Sequence, residues 1–338
     1  MRVLITGAAG FIGAHLMGEM QRDSSFQVLG LDNYSEYYSR QLKEIRVRTL
    51  TDTTKRDVIE VDISDQVKVN EVFESFQPEI VIHLAAQAGV RLMQGHFDKY
   101  VSSNLTGFCN VIGAASRIGA TNFVYASSSS VYGDECSLPL SEGEVSLAPA
   151  SFYGATKLSN EVIAATYSRR YGLRTRGLRL FTVYGPWGRP DMAYFRIISA
   201  LQGGHEFQLS GDGSVQRDFT FVDDVTEMIR ELSLDLKRHR PGFADVVNLG
   251  GGSPHSILEV IGSLETMLNL SLQISHLPRE ASDVEVTRAD SVYRESLIGK
   301  RDFVSLDGGL TKVITWSQQF TSTDYLKSWV DSSKTWAL

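Results

Sequence analysis

Gly7, Gly10 and Gly13 recur at a three-residue spacing directly behind the apolar run Val3-Leu4-Ile5, ahead of an amphipathic stretch reaching about Gln21. A strand that turns on glycines into a helix constrains a chain strongly. The glycines let backbone approach a bound pyrophosphate, and the first helical turn, here Phe11, Ile12 and Gly13, offers N–H groups at the positive end of the helix dipole. Similar units follow. Phe26–Leu31 reads as a strand ending at Asp32-Asn33, Val58–Val61 ends at Asp62, Ile80–Leu84 ends at Ala85-Ala86, and Phe123–Ala126 runs into Ser127-Ser128-Ser129-Ser130. Leu173–Leu180 gives a further strand, and Val246–Leu249 reads as a return to the same sheet. Strands rich in Val, Ile and Leu, separated by helical stretches, imply βαβ units and a parallel sheet.

The expected fold is therefore α/β: a Rossmann-type, doubly wound parallel sheet with a smaller C-terminal substrate-binding lobe. Residues 1–185 form the expected dinucleotide-binding domain, with returns to it around 216–262. Residues 186–215 and 263–338 form the expected lobe, because after Tyr184-Gly185-Pro186 the elements shorten and glycines punctuate them. The polar segment Tyr34–Asp57 reads as a surface excursion with a helical middle.

A net charge of -7 argues against binding nucleic acid through bulk electrostatics. Two cysteines, Cys109 and Cys136, give neither a disulfide framework nor a metal-ligand spacing, which fits a reducing compartment. Val3–Ile5 is already a strand, which leaves no place for a signal peptide, and no apolar run approaches the roughly 20 residues that span a bilayer. The expected location is the cytoplasm, with no membrane partner and no metal. Asp223-Asp224 reads as the cap of a helix beginning near Val225, and His83 as a structural residue ending a core strand.

Asp32 stands 19 residues beyond Gly13 at a strand end. A carboxylate there accepts hydrogen bonds from the adenosine ribose and repels a 2′-phosphate, which favours NAD over NADP. Asp62-Ile63 reads either as an adenine contact or, for Asp62, as a strand-end cap. Tyr153 and Lys157 lie four apart in Ser151-Phe152-Tyr153-Gly154-Ala155-Thr156-Lys157, on one face of a helix. An ammonium beside a phenol favours the phenolate and is expected to bring it into the working range of a general base.

These motifs, together with Ala85-Ala86, Asn104 and Val131-Tyr132-Gly133, resemble the extended short-chain dehydrogenase/reductases. Three strings resemble the UDP-glucuronate 4-epimerases within that family: Ala85–Arg91, Ser127–Gly133 and Leu180–Met192. Arg217–Asp224 fits as well. The resemblance implies NAD as cofactor, a UDP-sugar as substrate and a homodimer formed through helices near Tyr100–Ser116 and Ser151–Tyr171. It implies Tyr153 as acid and base, Lys157 as its partner and ribose anchor, and Ser128 as the hydroxyl on the reacting sugar oxygen. Ala85, Ala86, Gln87, Asn104 and Val183 join Gly7, Gly10, Gly13, Asp32 and Asn33 on the cofactor. Arg217 and Arg189 are implied for the diphosphate and sugar, and Arg91 as an anion contact or a plain surface arginine. Arg279 and Asp283 are implied for the uridine, although Arg279-Glu280-Ala281-Ser282-Asp283 departs from the arginine and Gly-Asp pair of relatives.

The implied reaction oxidises C4 and reduces it again from the other face. A 4-keto sugar bearing a C5 carboxylate is a β-keto acid that loses carbon dioxide readily. Neutral donors at Ser129, Ser130 and Thr182 are expected to hold that carboxylate. Ser130 stands where related dehydratases and decarboxylases carry an acid. The alternatives left open are a UDP-glucose or UDP-GlcNAc-type 4-epimerase, a UDP-glucuronate decarboxylase and a non-catalytic dinucleotide sensor.

Overall fold

In the computed structural model, which describes residues 1–52, 58–89, 97–134, 136–144, 147–279 and 284–320, successive residues of the first strand face opposite layers. This strand, β1 (Arg2–Thr6), sends Val3 and Ile5 into one apolar cluster and Leu4 into another. A strand buried on both faces needs a layer of helices on each, which is why its sequence is continuously apolar.

The chain continues through α1 (Phe11–Gln21), β2 (Gln27–Asp32), α2 (Arg40–Leu50), β3 (Val58–Glu60), α3 (Gln66–Phe76) and β4 (Ile80–His83). Next comes one continuous helical run: α4 (Phe97–Tyr100), a π-helical stretch (Val101–Gly107) and α5 (Phe108–Arg117). Then follow β5 (Asn122–Ser128), α6 (Phe152–Tyr171), β6 (Arg174–Leu180), β7 (Thr182–Tyr184) and α7 (Ala193–Gly203). After β8 (Phe207–Ser210) and β9 (Gln216–Phe221) come α8 (Val222–Asp235), β10 (Ala244–Leu249) and β11 (Pro254–Ser256). The last described elements are α9 (Ile257–Leu268), β12 (Ile274–Leu277), α10 (Val292–Ile298) and α11 (Leu306–Phe320).

Seven strands form one sheet in the order β10-β6-β5-β4-β1-β2-β3, and every neighbouring pair is parallel. The winding reverses between β1 and β4, which opens a crevice at their carboxyl ends. Residues from α1 and α8 share one apolar cluster with Val3 and Ile5, while those of α3 and α5 share the other with Leu4 and Val81. As expected, β10 returns to the sheet beside β6. β9 does not: it pairs parallel with β7 and antiparallel with β11 in a separate three-stranded sheet, and β8 pairs with β12.

Three sequence expectations need correction. β5 does not stop at Ala126, because Ser127 and Ser128 pair with Arg179 and Leu180, so two of the four serines belong to a buried strand. The described part of the 34–57 segment, residues 34–52, is not a plain surface excursion: Lys43 and Arg46 of α2 are buried, and Arg46 donates to Ala9 O at 2.8 Å inside the glycine turn. α8 begins at Val222 with Phe221 at its cap position, so Asp223 and Asp224 sit in its first turn, where the helix dipole favours them. Asp224 also accepts from Val304 N.

Candidate active site

Each predicted glycine of the turn makes a close approach. Gly7 adopts φ +73°, and a Cβ on it would sit 2.7 Å from Ala85 N on the neighbouring strand end. Gly10 donates from N to Gly7 O at 3.0 Å and caps α1. Gly13 faces that same carbonyl too closely for any side chain. No side chain caps α1 and no acid stands in its first turn, so the N–H groups of Phe11, Ile12 and Gly13 remain for an anionic ligand. Asp32, at the end of β2, is fixed by N–H groups of Ala9 (3.0 Å) and Tyr34 (2.8 Å). Burial raises its pKa, and the nearby Lys43 and Arg46 charges oppose that rise. Asn33 donates to Asp62 at 2.9 Å, and Ile63 is buried beside Gly107. Asp62 Oδ1 also accepts from Ser64 N at 2.8 Å and Ser64 Oγ at 2.7 Å, so it caps the turn past β3, while Asp65 caps α3. An uncapped helix start flanked by an anchored carboxylate fits a dinucleotide: the helix end for its pyrophosphate, and Asp32, Asn33 and Asp62 for its adenosine.

The loop behind β4 is tied to the helix that carries the predicted base. Ala85 N donates to Thr6 Oγ1, and Ala86 follows it. Gln87 N donates to Asn104 Oδ1 at 2.7 Å, and Asn104 Nδ2 reaches Gln87 O and Thr156 Oγ1, both at 3.1 Å. Thr156 in turn donates to Tyr153 O. Asn104 lies in the π-helical stretch, an irregularity common at functional sites.

Ser128, Ser130, Tyr153 and Lys157 come together as predicted. Ser128 Oγ bonds Ser130 Oγ and accepts from Ser130 N, both at 3.1 Å, and the Ser128 side chain also hydrogen-bonds Tyr153. Ser129 and Ser130 form the one-turn helix just past β5 and are half-buried. Lys157 is buried, lies 5.6 Å from the Tyr153 ring centroid and donates from Nζ to Ala126 O at 2.9 Å. The electrostatics differ from expectation. Burial pushes the Tyr153 phenol up to about 12, against the lowering effects of the Arg189 charge and the Ser128 hydrogen bond. Burial also brings the Lys157 ammonium down to about 8. Desolvation thus outweighs the expected activation by Lys157 in the protein alone.

At the predicted substrate end, Arg189 forms a two-bond ion pair with Asp191 (3.1 and 3.2 Å), which Tyr37 also contacts. Thr182 and the buried Val183 lie on β7, opposite Phe219 and Thr220. Arg217 on β9 reaches Val284 O at 2.7 Å. Arg279 is half-exposed in an ion pair with Glu285. Arg91 and Asp283 lie outside the described residues.

Several functional candidates were missed from sequence. Thr156 sits inside the Tyr-x-x-x-Lys string, and its hydroxyl was the available signal. Arg46 and Lys43 share a helix face at three-residue spacing, but a polar segment gave no sign that this face is buried. Among the described residues no group of three His, Cys, Asp or Glu could hold a metal ion.

Residues 3–250 match the NAD dependent epimerase/dehydratase family. UDP-glucuronate 4-epimerase 5 of Arabidopsis thaliana is 38% identical over 97% of this chain and 78% of its own. A probable UDP-glucuronate 4-epimerase of Rhizobium meliloti is 36% identical over 94% and 97%. The crystal structure of the UDP-glucuronic acid 4-epimerase from Bacillus cereus, with UDP-glucuronic acid and NAD, superposes with a TM-score of 0.87. It is 32% identical, over 94% of this chain and 99% of that one. With its glycine turn, anchored Asp32 and Ser128–Tyr153–Lys157 cluster, the chain belongs to the NAD dependent epimerase/dehydratase family.

Proposed function

We propose that this chain is an NAD-dependent isomerase that interconverts UDP-glucuronate and UDP-galacturonate at C4. The observation that carries the reading is the hydroxyl cluster around the base: Ser128 bonded to Tyr153 and Ser130, with no carboxylate among them. Bound NAD supplies a hydride acceptor that returns the same hydride, so no net oxidation results.

Tyr153 takes the proton from the sugar 4-hydroxyl during oxidation and returns it during reduction. Ser128 holds the reacting oxygen in line with that phenol. Lys157 keeps a positive charge below the ring, anchored to the strand through Ala126 O. Ser129, Ser130 and Thr182 grip the C6 carboxylate through neutral donors, which tolerates a rotating ring while the diphosphate is held by Arg217 and Arg189. With Ser130 in place of an acid, proton chemistry leading to loss of water or carbon dioxide lacks its donor.

A smaller lobe built around β8, β12, α7 and α9 is proposed to hold the nucleotide. A homodimer through the 101–117 helical run and α6 is proposed too, supported by exposed Val101, Val162 and Tyr171 on those helices. Cys109 and Cys136, which form no disulfide with each other, fit a cytoplasmic location.

The test is incubation of the NAD-loaded protein with UDP-glucuronate and, separately, with UDP-glucose. UDP-galacturonate as product supports the reading. Turnover of UDP-glucose alone would replace it with a neutral-sugar epimerase, and a UDP-pentose with a decarboxylase.

A further inference from the structure

The inner face of α6 is polar where a helix against a sheet is ordinarily apolar. Thr156, Lys157, Asn160, Glu161 and Ser168 are all buried there, and Ala164 is the only buried apolar side chain larger than glycine. Glu161 is the centre of this face. Ser127 Oγ donates to its Oε1 at 2.5 Å, and Arg179 of β6 donates from Nε to Oε1 at 3.0 Å and from Nη2 to Oε2 at 2.9 Å. Arg179 also lies over the Tyr132 ring at 4.7 Å and reaches the carbonyls of Glu142 and Glu144. One turn earlier, Lys157 is pinned to Ala126 O. Two successive turns of the helix are therefore pinned to two successive residues of β5, and the next residue of that strand is Ser128.

We propose that Glu161, acting through Ser127 and Arg179, is the positioning residue that sets the register of α6 on β5 and with it the Ser128–Tyr153 contact. It lies two turns, roughly 12 Å, along the helix from Tyr153 and touches no reacting group. Stability alone does not call for it, because buried ion pairs can often be replaced by apolar residues at little or no loss. Directed, charge-assisted bonds instead define one register, whereas apolar contacts tolerate sliding. The chemistry demands this, since a misplacement of about 1 Å can cost on the order of 100-fold in rate.

The proposal rests on the reading of the site as an epimerase, and the test separates the two. Ser127→Ala removes one bond to Glu161 and leaves the Arg179 pair and the fold. In the NAD-loaded protein it is expected to lower kcat on UDP-glucuronate about 10-fold, with KM and bound NAD unchanged. Glu161→Gln, provided it folds, is expected to lose at least as much. An unchanged kcat in Ser127→Ala, or in folded Glu161→Gln, would overturn the proposal. Should the parent act only on UDP-glucose, the substrate assignment fails, and the variant-to-parent ratio of kcat on that sugar still decides the role of Glu161.

Discussion

Gly154 faces the carbonyl oxygen of Ser130 so closely that a Cβ on it would lie 2.5 Å from that oxygen and 3.0 Å from Pro149. The residue after Tyr153, the proposed base, is thus the point where α6 meets the serine turn. Gly154→Ala must push the helix away from Ser128 and Ser130. Overpacking of this kind costs about 1–3 kcal/mol, and the displacement falls on the reacting pair. The expected outcome is a lower melting temperature with kcat reduced by roughly 10- to 100-fold, measured by thermal unfolding and steady-state kinetics.

Tyr153→Phe removes the phenol that Ser128 holds and leaves the glycine turn, Asp32 and Lys157 in place. Turnover is expected to fall by about 10²–10⁴-fold, the usual worth of a positioned acid-base group. The purified variant should still carry NAD, as read by absorbance of the released cofactor. Normal turnover would remove Tyr153 from the chemistry.

The phenol is raised by burial and lowered chiefly by the Arg189 charge, then by the Ser128 hydrogen bond. Arg189→Met therefore moves the acidic limb of the pH–rate profile upward, by roughly one unit. Asp191→Asn frees Arg189 from its ion pair and moves the same limb down. Profiles of kcat from pH 6 to 10 check both signs. If neither variant shifts the limb, Arg189 does not act on the base.

Much of this site was legible because its determinants are local. The glycine turn needs only the backbone around Gly7, and the strand ends announce themselves by a switch from Val and Ile to small or polar residues. What escaped was set by distant partners. Ser127 and Ser128 read as lying past the strand because serine is a poor strand former, yet β6 pairs with both and Glu161 satisfies Ser127. Lys43 and Arg46 read as surface charges and Arg179 drew no reading inside its strand, and only tertiary partners make their burial tolerable. The raised phenol of Tyr153 was missed for the same reason: the four-residue spacing to Lys157 is local, whereas desolvation comes from the whole cleft.

His83 is buried against Phe108 and Phe123, within 2.7 Å of Thr6 Oγ1, and burial lowers its pKa to about 3. The unfolded chain, titrating near about 6.5, takes up the proton first as pH falls. Stability from neutral His83 is therefore complete above about pH 6.5 and declines toward about pH 3, by about 2 kcal/mol at about pH 5. Denaturant unfolding of the parent and of His83→Asn at pH 7 and pH 5 checks this. The variant should show the smaller drop between the two conditions.

The central claim is that one hydride leaves C4 and returns to its opposite face while Tyr153 moves the proton. Turnover of UDP-glucuronate deuterated at C4, followed by NMR, tests it most directly. The account predicts UDP-galacturonate that keeps the deuterium at C4, with an unchanged C6 carboxylate and no NAD consumed. Deuterium lost to solvent, or a UDP-pentose with release of carbon dioxide, would contradict it.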